Sequence, residues 1–137
     1  MSSDPANVLH NVNTPTPKPL STQVLLKVHT VALNPAGFKA IQRFPSFIVK
    51  KPSIPEFDVA GTVVSVGPDV RRWKIGDELF GIINPREVLK TGQGGLAEYT
   101  LAREEHLYAI ILLFLISGTR NLHFYLGRKQ VLFRLQR

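Results

Sequence analysis

Few side chains in this sequence are of the types that do covalent or metal chemistry, and none are spaced to do it together. There is no cysteine, hence no thiolate nucleophile, no disulfide and no Cys-based zinc site. The four histidines, His10, His29, His106 and His123, are scattered at spacings that suit no metal. No Gly-x-Ser-x-Gly, His-Glu-x-x-His or phosphate-loop motif occurs. The stretch TGQGGLAEY contains Gly-x-Gly-Gly (Gly92, Gly94, Gly95), but a dinucleotide fingerprint needs a strand before it and a helix after it. A β-like run follows instead, so a conformationally special loop is expected there. Arg71, Arg72 and Lys74 surround the single tryptophan, Trp73. Such a cluster could take a phosphate, but a solvated turn anchored by the indole is the expected reading.

The elements that must position any site are mostly strands. Pro15, Pro17 and Pro19 give residues 1–21 an extended, non-helical character. Thr22–Leu33 alternates, with Val24, Leu26, Val28, Thr30 and Ala32 on one face and Lys27 and His29 on the other. His29 reads as a surface strand residue. Asn34-Pro35 supplies an N-cap and a first helical residue for a short helix ending near Gln42. Residues 43–56, with Pro45, Pro52 and Pro55, form an irregular loop whose Phe44 and Phe47 are expected to pack. Asp58–Val66 is a strand in which Gly61 marks a bulge or a close backbone approach. Turns at Gly67-Pro68-Asp69 and Gly76-Asp77 precede strands over Glu78–Ile83 and Leu96–Leu101, and Leu107–Ile110 begins a fifth. Short strands separated by Gly/Pro turns predict a mainly β barrel or sandwich.

Length and charge narrow the function classes. The chain has 137 residues, enough for one domain but not for a two-domain enzyme. The net charge is +7, yet all five charged residues after Glu105 are basic. Residues 1–105 therefore carry 12 basic against 10 acidic side chains. That balance does not describe a nucleic-acid-binding surface. The longest apolar run, Leu107–Ile116, is 10 residues, short of the roughly 20 of a membrane span. The start has no signal-peptide core and no Arg-rich transit pattern, and absent disulfides fit a reducing compartment; a cytoplasmic location is expected.

Five motifs in order, spread over about residues 8–110, resemble the N-terminal domain of the medium-chain dehydrogenases/reductases. PTPKPLSTQVLLKV is similar to the entry into that domain's first long strand. NPAGFK resembles the family's Asn-Pro-x-Asp-aromatic-Lys block. EFDVAGTVVSVG resembles Gly-x-x-x-x-Gly-x-Val-x-x-Val-Gly, WKIGDELFG the Gly-Asp-x-Val turn and strand, and GGLAEYTLA the segment that follows. The likeness is to the zinc-free branch of quinone oxidoreductases and stand-alone enoyl reductases. Leu33-Asn34-Pro35 and Glu56-Phe57-Asp58 stand where zinc enzymes carry Cys with His-x-Asp and Gly-His-Glu. Neither Leu33 nor Phe57 can ligate a metal.

The resemblance implies a GroES-like β-barrel over residues 22–110, followed in the family by a Rossmann domain that binds NADPH. A small conjugated carbonyl substrate would sit between the two. It implies Asn34, Pro35, Gly37 and Phe38 beside the cofactor, and Gly94, Gly95 and Leu96 on the substrate side. Asn34 could equally be a plain N-cap. One departure is Gly37, in the place of the block's Asp, which removes a carboxylate and loosens the helix start. A second is that Phe44 and Phe47 cannot donate a proton where some enoyl reductases have a Tyr. A third is residues 111–137, which leave the family pattern, lack a phosphate-binding loop and read as an ill-defined apolar, basic tail of a truncated product. Without the nucleotide domain the chain is expected to bind NADPH poorly, to be inactive alone and to self-associate through the uncovered interface. The alternative is a non-catalytic module whose barrel and basic tail contact a partner or membrane surface.

Overall fold

A computed structural model describes residues 14–37, 39, 47–48, 50 and 53–110, together with the backbone of 121–126 and 129–134. Five strands form one antiparallel sheet: β1 (Gln23–Val31), β2 (Asp58–Val66), β3 (Glu78–Ile82), β4 (Tyr99–Arg103) and β5 (Leu107–Ala109). Their order across the sheet is β4-β1-β2-β3-β5. Val24 and Leu26 of β1, Val59 and Val63 of β2, Leu79 of β3, Ala102 of β4 and Leu107 of β5 join one buried cluster. Neighbouring strands lie about 4.8 Å apart, so the edges of a flat five-stranded sheet would be about 19 Å from each other. Both edges feed one cluster only because the sheet curls around it, in line with the expected barrel class.

The alternation expected along the first strand holds only in part. β1 and β2 slip register twice, and in the second slip His29 is the extra residue between Val28↔Gly61 and Thr30↔Ala60. A bulge of this kind exchanges the two faces beyond it. Val31 therefore packs against the core, not the predicted Thr30 and Ala32. His29 is exposed, and its Nε2 shares a 2.8 Å hydrogen bond with Thr62 Oγ1. Gly61 is the predicted close approach: a Cβ there would overlap the Lys27 carbonyl.

The fourth strand begins three residues later than the alternation predicts, at Tyr99. Its buried residues are Thr100 and Ala102. Thr100 is buried at little cost because its hydroxyl donates to the Gly94 carbonyl at 2.9 Å. Phe47, expected to pack, is 85% exposed in a turn; Phe44 lies outside the described residues.

A helix not anticipated from the sequence runs over Pro85–Thr91, where Asn84 Oδ1 accepts from the Arg86 N–H and Gly92 closes the end at φ 72°. Its Val88 and the preceding Ile83 complete the core. Trp73 also packs on the core, donating from Nε1 to the Glu104 carbonyl at 3.1 Å, with the Arg72 guanidinium 5.0 Å over its ring. The predicted anchored turn is thus present. In the segment read as an ill-defined tail, β6 (Asn121–Leu126) and β7 (Lys129–Arg134) pair only with each other.

Candidate functional site

The two groups of residues expected at a site, around 34–38 and 94–96, are brought together by residues 54–58, a segment read from the sequence only as lacking metal ligands. Each of its residues makes a backbone hydrogen bond to another part of the chain. Ile54 N–H donates to the Gly92 carbonyl at 2.7 Å. The Pro55 and Glu56 carbonyls accept from Leu96 and Gly95 at 3.0 and 2.7 Å. The Phe57 carbonyl accepts from Ile83 at 2.8 Å, and the Asp58 carbonyl from Ala32 at 3.0 Å.

Glycine is needed in the 92–96 loop because these backbones are so close. A Cβ on Gly94 would run into the carbonyl oxygens of Ile54, Pro55 and Glu56, and one on Gly95 into Val59 Cγ1. The expected special loop is therefore a packing device, with Gly94 and Gly95 both buried beneath 54–58. Leu96 alone of the predicted substrate-side residues presents its side chain, at 48% exposure. The N–H groups of Gly95 and Leu96 are turned inward onto 55–56, which is why the strand cannot begin until Tyr99.

On the other side, Asn34 is held from two directions. Its backbone N–H donates to Glu56 Oε2 at 2.8 Å, and its side-chain amide donates to Asp58 Oδ2. The Asn34 carbonyl accepts from Gly37 N–H at 3.1 Å, closing a helical turn through Pro35 and Ala36. Pro35 and Ala36 are exposed, whereas Gly37 is buried against the Glu56 side chain. Phe38 lies outside the described residues. Of the four residues predicted to face a cofactor, Asn34 and Gly37 thus face the Glu56–Asp58 segment, and Pro35 faces out.

Sequence reasoning missed Glu56. It is 4% exposed and adopts φ 72°, a backbone conformation that L-residues avoid. The signal was present in the motif comparison: the first residue of the Gly-x-x-x-x-Gly pattern is here Glu56. Leu33, next to Asn34, is an exposed apolar residue at 75% exposure. Among the described residues, no group of three or more His, Asp or Glu side chains is arranged to hold a metal. No helix among them is long and apolar enough to cross a membrane.

Comparison with known proteins agrees with the fold. The sequence pattern of the "Alcohol dehydrogenase GroES-like domain" matches residues 21–111. An NADPH-dependent alkenal/one oxidoreductase of Arabidopsis thaliana, named as chloroplastic, is 43% identical over 90 residues. That stretch is 64% of this chain and 23% of the relative. A trans-enoyl reductase of Pyricularia oryzae is 34% identical over 93 residues, 68% of this chain and 25% of the relative. Among solved structures, the quinone oxidoreductase from Coxiella burnetii superposes with a TM-score of 0.62 at 32% identity. The match covers 77% of this chain and 33% of that one. The chain thus spans a third or less of each of these three proteins.

Proposed function

The chain belongs to the alcohol dehydrogenase GroES-like domain family of the medium-chain oxidoreductases, and from that membership we propose that it is the substrate-side domain of a zinc-free, NADPH-dependent reductase of conjugated carbonyl compounds. The observation that carries this reading is the joining of 34–37 and 94–96 through residues 54–58. It makes one continuous surface of the two groups that the family resemblance assigns to cofactor and substrate.

The side chains suit one end of NADPH and not the other. Segments 33–37, 54–58 and 94–96 hold two carboxylates and no basic residue. They fit the uncharged nicotinamide end and would repel the phosphates. When bound, NADPH supplies the hydride that adds to the β-carbon of a conjugated carbonyl. What this domain contributes is shape and exclusion of water: the exposed Leu33, Pro35 and Leu96 form an apolar wall around a rigid base. Phe57, in the place where the zinc enzymes' Gly-His-Glu carries its ligating His, supports a zinc-free reaction. Pyrophosphate and adenosine contacts would come from a nucleotide-binding domain, so these 137 residues alone are inactive and bind NADPH weakly. Uncovered, the same apolar wall favours association between copies.

The test is to assay NADPH oxidation with a simple enone, first by this chain and then by a protein in which the Coxiella burnetii nucleotide-binding domain follows residue 110. No turnover in the first and enone-dependent turnover in the second is the expected result. A fused protein that binds NADPH yet reduces neither enone nor quinone would overturn the proposal. Trp73 is unsuited as a reporter of binding. It bonds Glu104, whose N–H bonds Thr22 at the start of β1, while Asn34 lies beyond the other end of that nine-residue strand. That separation is roughly 25–30 Å.

A further inference from the structure

We propose that Glu56 positions this site, and that Glu56 and Gly37 are a matched pair in which a carboxylate has moved from the helical turn to the facing loop. Three observations carry the inference. The first is that Glu56 occupies φ 72° while 4% exposed. Glycine would hold that backbone without strain, and a buried carboxylate is costly unless it is bonded. Both penalties persist because the side chain does something there. The second is what it does: Oε2 accepts the Asn34 backbone N–H at 2.8 Å, the first residue of the 34–37 turn. A charged acceptor makes this the stronger class of hydrogen bond. The third is the space it uses. A Cβ on Gly37 would lie 2.9, 3.1 and 3.2 Å from Glu56 Oε1, Cδ and Oε2. Any side chain at 37 displaces the Glu56 carboxylate, and an aspartate there would set two carboxylates in contact.

The sequence departs from the family pattern at these two positions in opposite senses. Gly37 stands in the place of Asp in the Asn-Pro-x-Asp block, and Glu56 in the place of the first Gly of Gly-x-x-x-x-Gly. The structure puts the two places in contact. Either change alone is unfavourable: Gly37 without Glu56 leaves the turn without its carboxylate, and Glu56 with an aspartate at 37 crowds two charges. Together they leave one carboxylate on the Asn34 backbone N–H, beside Asp58 on the Asn34 side-chain amide. Only the description of the held turn as cofactor-facing rests on the proposed function; the pairing itself does not.

The test is a double-substitution cycle on the full 137-residue chain without cofactor: G37D, E56G and the two combined, with E56Q as a variant that keeps the shape and loses the charge. The urea midpoint gives stability. The chemical shift and hydrogen-exchange rate of the Asn34 backbone amide report the bond itself. E56Q moves the Asn34 amide proton upfield and speeds its exchange about five- to tenfold, the weakening expected when a neutral amide oxygen replaces a charged acceptor. G37D and E56G each lower the midpoint, and the combined variant recovers most of it, well beyond the sum of the single effects. Additive losses in the cycle, or an Asn34 amide unchanged in E56Q, would overturn the pairing. Because no cofactor or substrate enters, failure here leaves the reductase reading intact. A fused protein without enone reduction would equally leave this pairing intact.

Discussion

At the scale of the residue, Glu104 gives the clearest electrostatic statement. One of its carboxylate oxygens accepts the backbone N–H groups of both Arg72 and Arg71 at 3.0 Å. Those two bonds favour the charged form and hold its carboxyl below the ordinary carboxylate range. A folded-state value below the unfolded one contributes stability that is fully present above the unfolded value. It is lost as pH falls through the folded one. E104Q therefore flattens the loss of stability as pH falls through and below the ordinary carboxylate range, read from urea midpoints, and the difference shrinks in high salt because the site is near solvent. Gly61 gives the clearest steric statement. A Cβ there meets the Lys27 carbonyl and has no flexible neighbour to displace. G61A costs about 2 kcal/mol or more, measured by chemical denaturation. This glycine was legible because a lone Gly inside an apolar β run has few explanations. Glu56 was not, because a buried acid at positive φ looks in sequence like any exposed loop glutamate.

At the scale of the element, legibility followed the number of residues that repeat a pattern. The bounds of β2 can be read directly from DVAGTVVSV between a Pro-containing loop and Gly67-Pro68. The helix Pro85–Thr91 could not be read this way: it has seven residues and one buried side chain, Val88, so no helical periodicity develops. Its signal was in its ends alone. Asn84-Pro85 repeats the Asn-Pro pair at 34–35, and Gly92 supplies the left-handed stop. For so short a helix the cap is a large part of its stability. N84A is expected to cost about 1 kcal/mol, read as a lower urea midpoint with an unchanged slope. Which face of β4 turns inward was beyond local reading as well. Thr100 points inward because Gly94 offers its hydroxyl a partner, and that partner depends on how the 92–96 loop docks on 54–56.

At the scale of the whole molecule, five strands were visible along the chain but their order was not. Placing β4 beside β1, and β5 beside β3, depends on contacts between segments some 80 and 30 residues apart, which no local window carries. The shared core makes those placements interdependent. Leu79 is fully buried in the cluster to which every strand of the sheet contributes. L79A removes side-chain volume where neither edge can close in independently, and should cost about 3 kcal/mol. Amide exchange would separate this from local loosening: protection should fall together in β1, β2 and β3, and not in β3 alone. The candidate site shares this non-local character. Its two halves are 60 residues apart in sequence, and nothing in either half announces the segment that joins them.

That joining segment has a mechanical consequence. Residues 54–58 are tied by backbone bonds to Gly92, Leu96, Gly95, Ile83 and Ala32 in turn, so the three loops of the site form a braced tripod with no free joint among them. If a second domain swings against this face, the tripod can only tilt as one piece. The bending must then occur outside it, and a ligand gripped there would feel the motion as rotation of a whole wall and not as the closing of a flap.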